Sequence, residues 1–205
     1  MKNRINQFSY RHPDFGVMNL MKYIAIANAV FWILNFIVPS FVSYLAFNPY
    51  YIFHGQIWRI VSFVFFPPST SILGAIAIYF YYVIGNVLEA RWGTAKFNLF
   101  VLSGVLMTML YGFLVYFLLH VSISLTAEYI FLSMFFAFAL LFPDTQVLYM
   151  FLVPIKMKWL ALLDLAFFVF DIFTRSFPSN LLPLIAILNV LLFCGIDDFK
   201  NLFRK

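Results

Sequence analysis

The residues best able to do chemistry in this chain are few, and they stand in apolar surroundings. Asp164 and Asp171 lie seven apart in one apolar run, so they share a helix face. Asn28 and Asn35 repeat that spacing nearer the start. Glu128 opens another apolar run and Asn189 sits inside the last one. In a membrane such groups face protein or a wet cavity, because an unpaired charge in lipid is costly. They can bond helix to helix. Alternatively, Asp164, Glu128 and Asn189 could line the polar path of a small transporter. Asp171 has Arg175 one turn away as a partner, whereas Asp164 has none nearby in the chain.

Hydrolytic chemistry is harder to assemble. His120, Ser122, Ser124 and Glu128 gather in one stretch. A serine becomes a nucleophile only beside a positioned base, and its reaction needs oxyanion donors. A short exposed loop offers no evident oxyanion hole. Ser133 lies two turns deeper with no histidine on a facing run, and reads as a packing serine bonded to its own helix. His12, His54 and His120 stand far apart, and Cys194 is the one cysteine. That excludes an internal disulfide and any zinc set. No cofactor is expected.

The elements that carry these residues follow from composition. Of 205 residues, 64% are hydrophobic and 10% are charged. A soluble domain is nearer about half apolar and a quarter charged, and it has too little polar surface to cover such an excess. The bilayer is the natural solvent. A spanning helix needs about 20 apolar residues, and six apolar runs read as spans: Tyr23 to Ala46 with a bend at Pro39, Ile72 to Leu88, Phe97 to Val121, Thr126 to Phe142, Trp159 to Phe173, and Leu181 to Gly195. Helices are expected because lipid cannot satisfy backbone groups. The fold class is therefore all-α, a polytopic membrane bundle of six helices.

Charge orients the six runs. Lys2, Arg4, Arg11 and Lys22, then Arg91 and Lys96, then Lys156 and Lys158, then Lys200, Arg204 and Lys205 all fall on one side. Only Arg59 and Arg175 fall on the other. The positive-inside rule then places both termini in the cytoplasm. The net charge of +5 follows from this topology, so nucleic acid is not an expected partner. The chain divides into a tail over 1–22, a six-helix domain over 23–196 and a basic tail over 197–205. Which membrane it occupies and its oligomeric state are not legible. Two connectors are unusual. Phe47 to Ser71 is long, apolar and aromatic, and should lie at headgroup depth. Val147 to Ile155, ended by Pro154, is too short to span and should lie along the inner interface.

Three ordered blocks resemble a known family. Gln56-Ile57-Trp58-Arg59-Ile60-Val61-Ser62-Phe63 resembles the Trp-Arg signature in the first loop of rhomboids and their derlin relatives. Gly85-Asn86-Val87-Leu88-Glu89-Ala90-Arg91-Trp92-Gly93-Thr94 resembles the pattern at the end of the rhomboid second helix. Leu140-Leu141-Phe142-Pro143-Asp144, followed by Val153-Pro154-Ile155-Lys156, resembles the exit from the fourth. The blocks span about half the chain, from Asn48 to Trp159. The resemblance implies a rhomboid-like bundle, with Trp58, Arg59, Gly85, Glu89 and Gly93 as its scaffold motif. By themselves, Trp58 and Arg59 suit an interfacial anchor whose guanidinium bonds loop carbonyls. Glu89 could pair with Arg91 or Lys96 or bond loop backbone, and Gly93 permits a tight turn.

The groups that the family uses for peptide cleavage are missing. Rhomboid proteases use a serine in a Gly-x-Ser-Gly turn on helix four and a histidine on helix six. Counting back from Phe142-Pro143 places Thr126-Ala127-Glu128-Tyr129 at the turn, with Glu128 in the serine place. The last run has no histidine, and Asn189 takes that position by spacing. Counting back from Gly85 puts Ala77 where an oxyanion asparagine would stand. The expected catalytic set is therefore none. The expected function is a catalytically inactive, rhomboid-like pseudoprotease, derlin-like in character. It would bind membrane-protein clients or partner helices between helices two and five and the first loop. An active rhomboid-family protease with displaced residues, and a small membrane transporter, are the alternatives.

Overall fold

The computed structural model describes residues 2–38, 41–71, 73–149 and 153–194. The bend at Pro39, the end of the sixth run at Gly195 and the tail over 197–205 lie outside the described residues. A short helix α1 (Lys2–Arg11) precedes α2 (Leu20–Ile37). Two brief helices follow, α3 (Pro49–Phe53) and α4 (Arg59–Ser62). Then come α5 (Gly74–Trp92), α6 (Thr94–Leu119) and α7 (Glu128–Leu141). A hairpin of β1 (Gln146–Tyr149) and β2 (Val153–Lys156) leads to α8 (Met157–Thr174) and α9 (Leu182–Phe193). Each of the six apolar runs thus holds one of the helices α2 and α5 to α9.

One expectation changes. The first run stops being helix at Ile37 rather than Ala46. Val38 has φ −125° and ψ 89°, in keeping with the bias of a residue before proline away from helix. Val42, Leu45, Ala46 and Phe47 then turn inward and are buried, so this stretch is packed loop. The connector Val147 to Ile155, too short to span, folds as an antiparallel ribbon that pairs Gln146 with Lys156 through to Tyr149 with Val153. Pro154 is tolerated there because both strands of a two-stranded ribbon are edges.

Helices α2 and α6 are long and apolar enough, by length and composition, to cross a bilayer. Helices α5 and α8 have similar lengths to α2 but carry charges: Glu89 and Arg91 in the first, Lys158, Asp164 and Asp171 in the second. Helix α7 has 14 residues, which at ~1.5 Å per residue is ~21 Å, short of a hydrocarbon core of ~30 Å. Its enclosure explains why it need not match that thickness. Eleven of its 14 residues are buried, as expected of a helix that is apolar all round. It is the axis of the bundle.

Around α7 runs a ring of four helices. Helix α5 packs on α6, α6 on α9, and α9 on α8. Helices α8 and α5 do not pack closely, so the ring is open on that side. Helix α2 lies outside it against α5, burying only Met21, Ile24 and Asn28 and exposing Ile26, Val30, Ile33 and Phe36. A water-facing helix would not show such a surface, whereas lipid accommodates it.

Small residues let α2, the first loop and the ring helices approach one another closely. Gly104, Thr108 and Gly112 repeat every four residues on the buried face of α6, the spacing that lets membrane helices approach. At Gly112 an added Cβ would stand 2.4 Å from Phe47 Cε1. That phenylalanine enters from the first loop and is fully buried. At Gly85 an added Cβ would stand 2.0 Å from Met21 Cγ, which is how α2 seats on α5.

Candidate functional site

Three polar clusters hold the residues singled out by sequence. The first braces the loop between α2 and α5. Arg59 is 4% exposed although it is always charged. Its Nη1 donates to the carbonyls of Ser43 at 2.9 Å and Ala46 at 2.8 Å, and its Nε donates to Gln56 Oε1 at 2.6 Å. The guanidinium also lies 4.9 Å from the centre of the Tyr51 ring. Burial pushes its pKa down, and the Tyr51 and Tyr44 interactions oppose that. Trp58 donates its indole N–H to Tyr44 O at 3.2 Å and is half exposed. Together these bonds explain how an irregular loop keeps its carbonyls satisfied while holding Phe47 and Phe63 in the core.

The same loop is stitched to the segment before α7. Phe47 and Leu125 exchange backbone bonds of 2.9 and 2.8 Å. Asn48 caps α3, accepts from Ser122 Oγ at 2.7 Å and donates to Ser124 Oγ at 3.0 Å. The serine stretch that might have offered a nucleophile is therefore a brace. Ser122 gives its proton to Asn48, and His120 is an exposed left-handed residue (φ 56°) closing α6.

The second cluster lies at the opposite end of the bundle. Glu89 Oε1 accepts from the backbone N–H of Asn19 at 2.9 Å and from Thr94 Oγ1 at 3.0 Å. It thus bonds backbone ahead of α2 rather than Arg91. Asn98 both donates to and accepts from the backbone of Val17, at 3.0 and 2.9 Å. Gly93, with φ 82°, makes the one-residue turn between α5 and α6. Lys96 is buried against the face of Trp92.

The third cluster surrounds α7. Asn189 of α9 is 1% exposed. Its Oδ1 accepts from Ser103 Oγ at 2.6 Å and its Nδ2 donates to Phe100 O at 3.2 Å, clamping α9 to α6. Beside it is a cavity of about 10 Å³, lined by Gly104, Thr108, Ile130 and Ser133 among others. That volume is at the lower limit for one water molecule and admits no peptide. Ser133 donates to Ile130 O at 2.7 Å within its own helix. Glu128 does not share this cavity. It lies at the exposed start of α7, 3.9 Å from Arg175. Asn189 therefore faces Ser133 and Ile130 of α7, one to two turns from Glu128. Ala77 lies half-buried in the first turn of α5.

The open side of the ring carries the acidic residues. Arg175 Nε lies 3.1 Å from Asp171 Oδ2, and Tyr129 donates to the same oxygen at 3.1 Å. Asp164 follows the buried stripe Met157, Ala161, Asp164 and Phe168 of α8. Its Oδ2 is buried and has no hydrogen-bond partner among the described residues. Tyr81 of α5 stacks on Phe131 of α7 with ring centres 5.0 Å apart. Tyr81, Ser103 and Tyr129 escape sequence reasoning because isolated hydroxyls in apolar runs carry no spacing signal. No group of three His, Cys, Asp or Glu side chains that could hold a metal ion occurs among the described residues.

The family description "Eukaryotic integral membrane protein (DUF1751)" matches residues 22–192, from the first turn of α2 to the last turn of α9. No curated protein and no solved structure matches the chain.

Proposed function

The chain belongs to this family of eukaryotic integral membrane proteins, and from that premise we propose that it is a catalytically inactive rhomboid-like member that binds transmembrane helices of client proteins. In this reading α2 and α5 to α9 are six spans with both termini in the cytoplasm, as the distribution of Lys and Arg favours. The observation that carries the reading is the opening between α5 and α8. It is floored by α7, whose Glu128 and Leu132, one turn apart, are its least covered residues before the last turn. Its walls are apolar: Tyr79 and Val83 on α5, Leu163 and Phe167 on α8, are all exposed. A helix entering from lipid would complete the ring around α7.

Two further features support binding without cleavage. Asn189 is committed to Ser103 and Phe100, and Ser133 to its own helix, so neither is arranged to activate a nucleophile. The 12-residue α9, with Leu184, Leu188 and Leu191 exposed, also fits a locally thinned bilayer.

Site-specific photocrosslinking tests the proposal. Photoreactive residues at Val83 and Leu163 should capture single-span proteins, whereas one at Ile33 on the lipid face of α2 should capture lipid. Equal capture from all three positions, or lipid alone from all, would overturn it. A fluorophosphonate probe should leave the protein unlabelled; labelling abolished by replacing one serine would favour an active protease instead.

A further inference from the structure

We infer that Asp164 selects the client: it takes an ion pair or hydrogen bond from a Lys or Arg placed near the middle of the client's transmembrane helix. The inference rests on the client-binding reading above and adds its chemistry. Three carboxylates stand on α7 and α8, the floor and one wall of the opening between α5 and α8: Glu128, Asp164 and Asp171. Asp171 is held by Arg175 and Tyr129, and Glu128 is exposed beside the same Arg175. Asp164 is the one whose carboxylate oxygen lacks a partner among the described residues. It is 7% exposed, so bulk water does not replace that partner.

Position and direction define what would fit. Asp164 is the eighth of the 18 residues of α8 and stands close to the middle of that helix. It belongs to the buried stripe of α8, between Ala161 and Phe168, and Phe168 of that stripe meets Tyr129 and Phe136 of α7. The rest of the surface there is apolar: Leu132 of α7, Val83 of α5, Leu163 and Phe167 of α8. A purely apolar helix would cover these residues and leave the carboxylate unmatched. An acidic helix would add a second negative charge. A helix with a single central cation would bury its apolar length against the walls and bring its charge to Asp164. In lipid that cation has no partner and is costly; at Asp164 it has one.

The test uses the full-length protein in liposomes with labelled single-span peptides. These are polyleucine helices of about 23 residues, bearing Lys, Leu or Glu at the centre. Binding is read by energy transfer to a fluorophore on the protein. The Lys peptide should bind about tenfold or more tighter than the Leu and Glu peptides. Asp164→Asn should weaken that preference and Asp164→Leu should abolish it, with the affinity for the Leu peptide held or raised. Asp164→Lys should transfer the preference to the Glu peptide. Equal binding of all three peptides to the wild type, or a Lys preference unchanged by Asp164→Leu, overturns the role of Asp164 and leaves client binding standing. Failure of every peptide to bind, joined with capture of lipid alone in the crosslinking experiment, overturns both. Where a variant does not fold, the three peptides on the wild-type protein still decide the question.

Discussion

Gly104 of α6 and Asn189 of α9 meet so closely that a Cβ on the glycine would stand 3.0 Å from the asparagine Nδ2. That approach is what lets the amide reach Phe100 O and Ser103. Gly104→Ala gains about 0.5–1 kcal/mol of helix preference but displaces the amide and overpacks the contact, costing about 1–3 kcal/mol. A net loss of ~1 kcal/mol is expected in detergent unfolding. In an Asn189→Ala background the obstacle is gone, and the same substitution should be neutral or stabilising. Equal effects in both backgrounds would show that the two residues are not coupled.

Arg59 should resist conservative replacement. Lysine keeps the charge but cannot reproduce the planar fork that reaches Ser43, Ala46 and Gln56 together. Arg59→Lys should lose about 2–3 kcal/mol of stability, since charge-assisted bonds to buried carbonyls are the stronger kind. Trp58→Phe removes one exposed bond and should cost under ~1.5 kcal/mol. Thermal unfolding of the two purified variants ranks them, and a larger loss for Trp58→Phe would contradict the assignment.

Asn48 should couple two loops that are far apart in the chain. Asn48→Ala removes the cap of α3 and both serine bonds, worth roughly 1–2 kcal/mol. The loss should be local. Hydrogen exchange at the amides of Phe47 and Leu125, which pair with each other, should quicken by about tenfold or more. Amides within α7 should be unaffected; uniform acceleration throughout would mean that the brace is not an independent unit.

Topology can be read with single cysteines in a Cys194→Ser background. With six spans, Tyr10→Cys and Asp144→Cys should react with an impermeant thiol reagent from the cytoplasmic side. Ser122→Cys and Ser176→Cys should react from the other side. All four positions are exposed or partly so in the structure. Reaction of Tyr10→Cys and Ser122→Cys from one side would exclude the six-span arrangement.

The six helices were legible because lipid demands long apolar runs and composition records them directly. The ends were less so. The first run reads as helix through Ala46, yet Val42 to Phe47 is packed loop. Hydropathy cannot distinguish an apolar residue that faces lipid from one that folds back on protein. The Trp58-Arg59 pair was legible as a loop anchor from its residue types. Its partners were not, since Ser43 and Ala46 contribute only carbonyls, which every residue has.

The polar residues show the same division more sharply. An aspartate four residues from an arginine on one helix needs nothing but helical geometry to pair, and Asp171 and Arg175 do. Asp164 lies on the same face, but whether it would find a partner depended on which helix came opposite. Counting along the runs placed Glu128 and Asn189 at the two matched positions of the family's dyad. The fold gives Asn189 to Ser103 and leaves Glu128 beside Arg175. Spacing along a chain specifies depth and face within one helix. The rotation and distance between helices depend on the close contacts at Gly85, Gly104 and Gly112, and on α7 filling the centre. So composition and charge determined by themselves that this is a helical membrane protein and which residues lie within its apolar runs. Only the packing of those helices decided that the ring around α7 opens between α5 and α8, because an opening is a property of neighbours that do not meet.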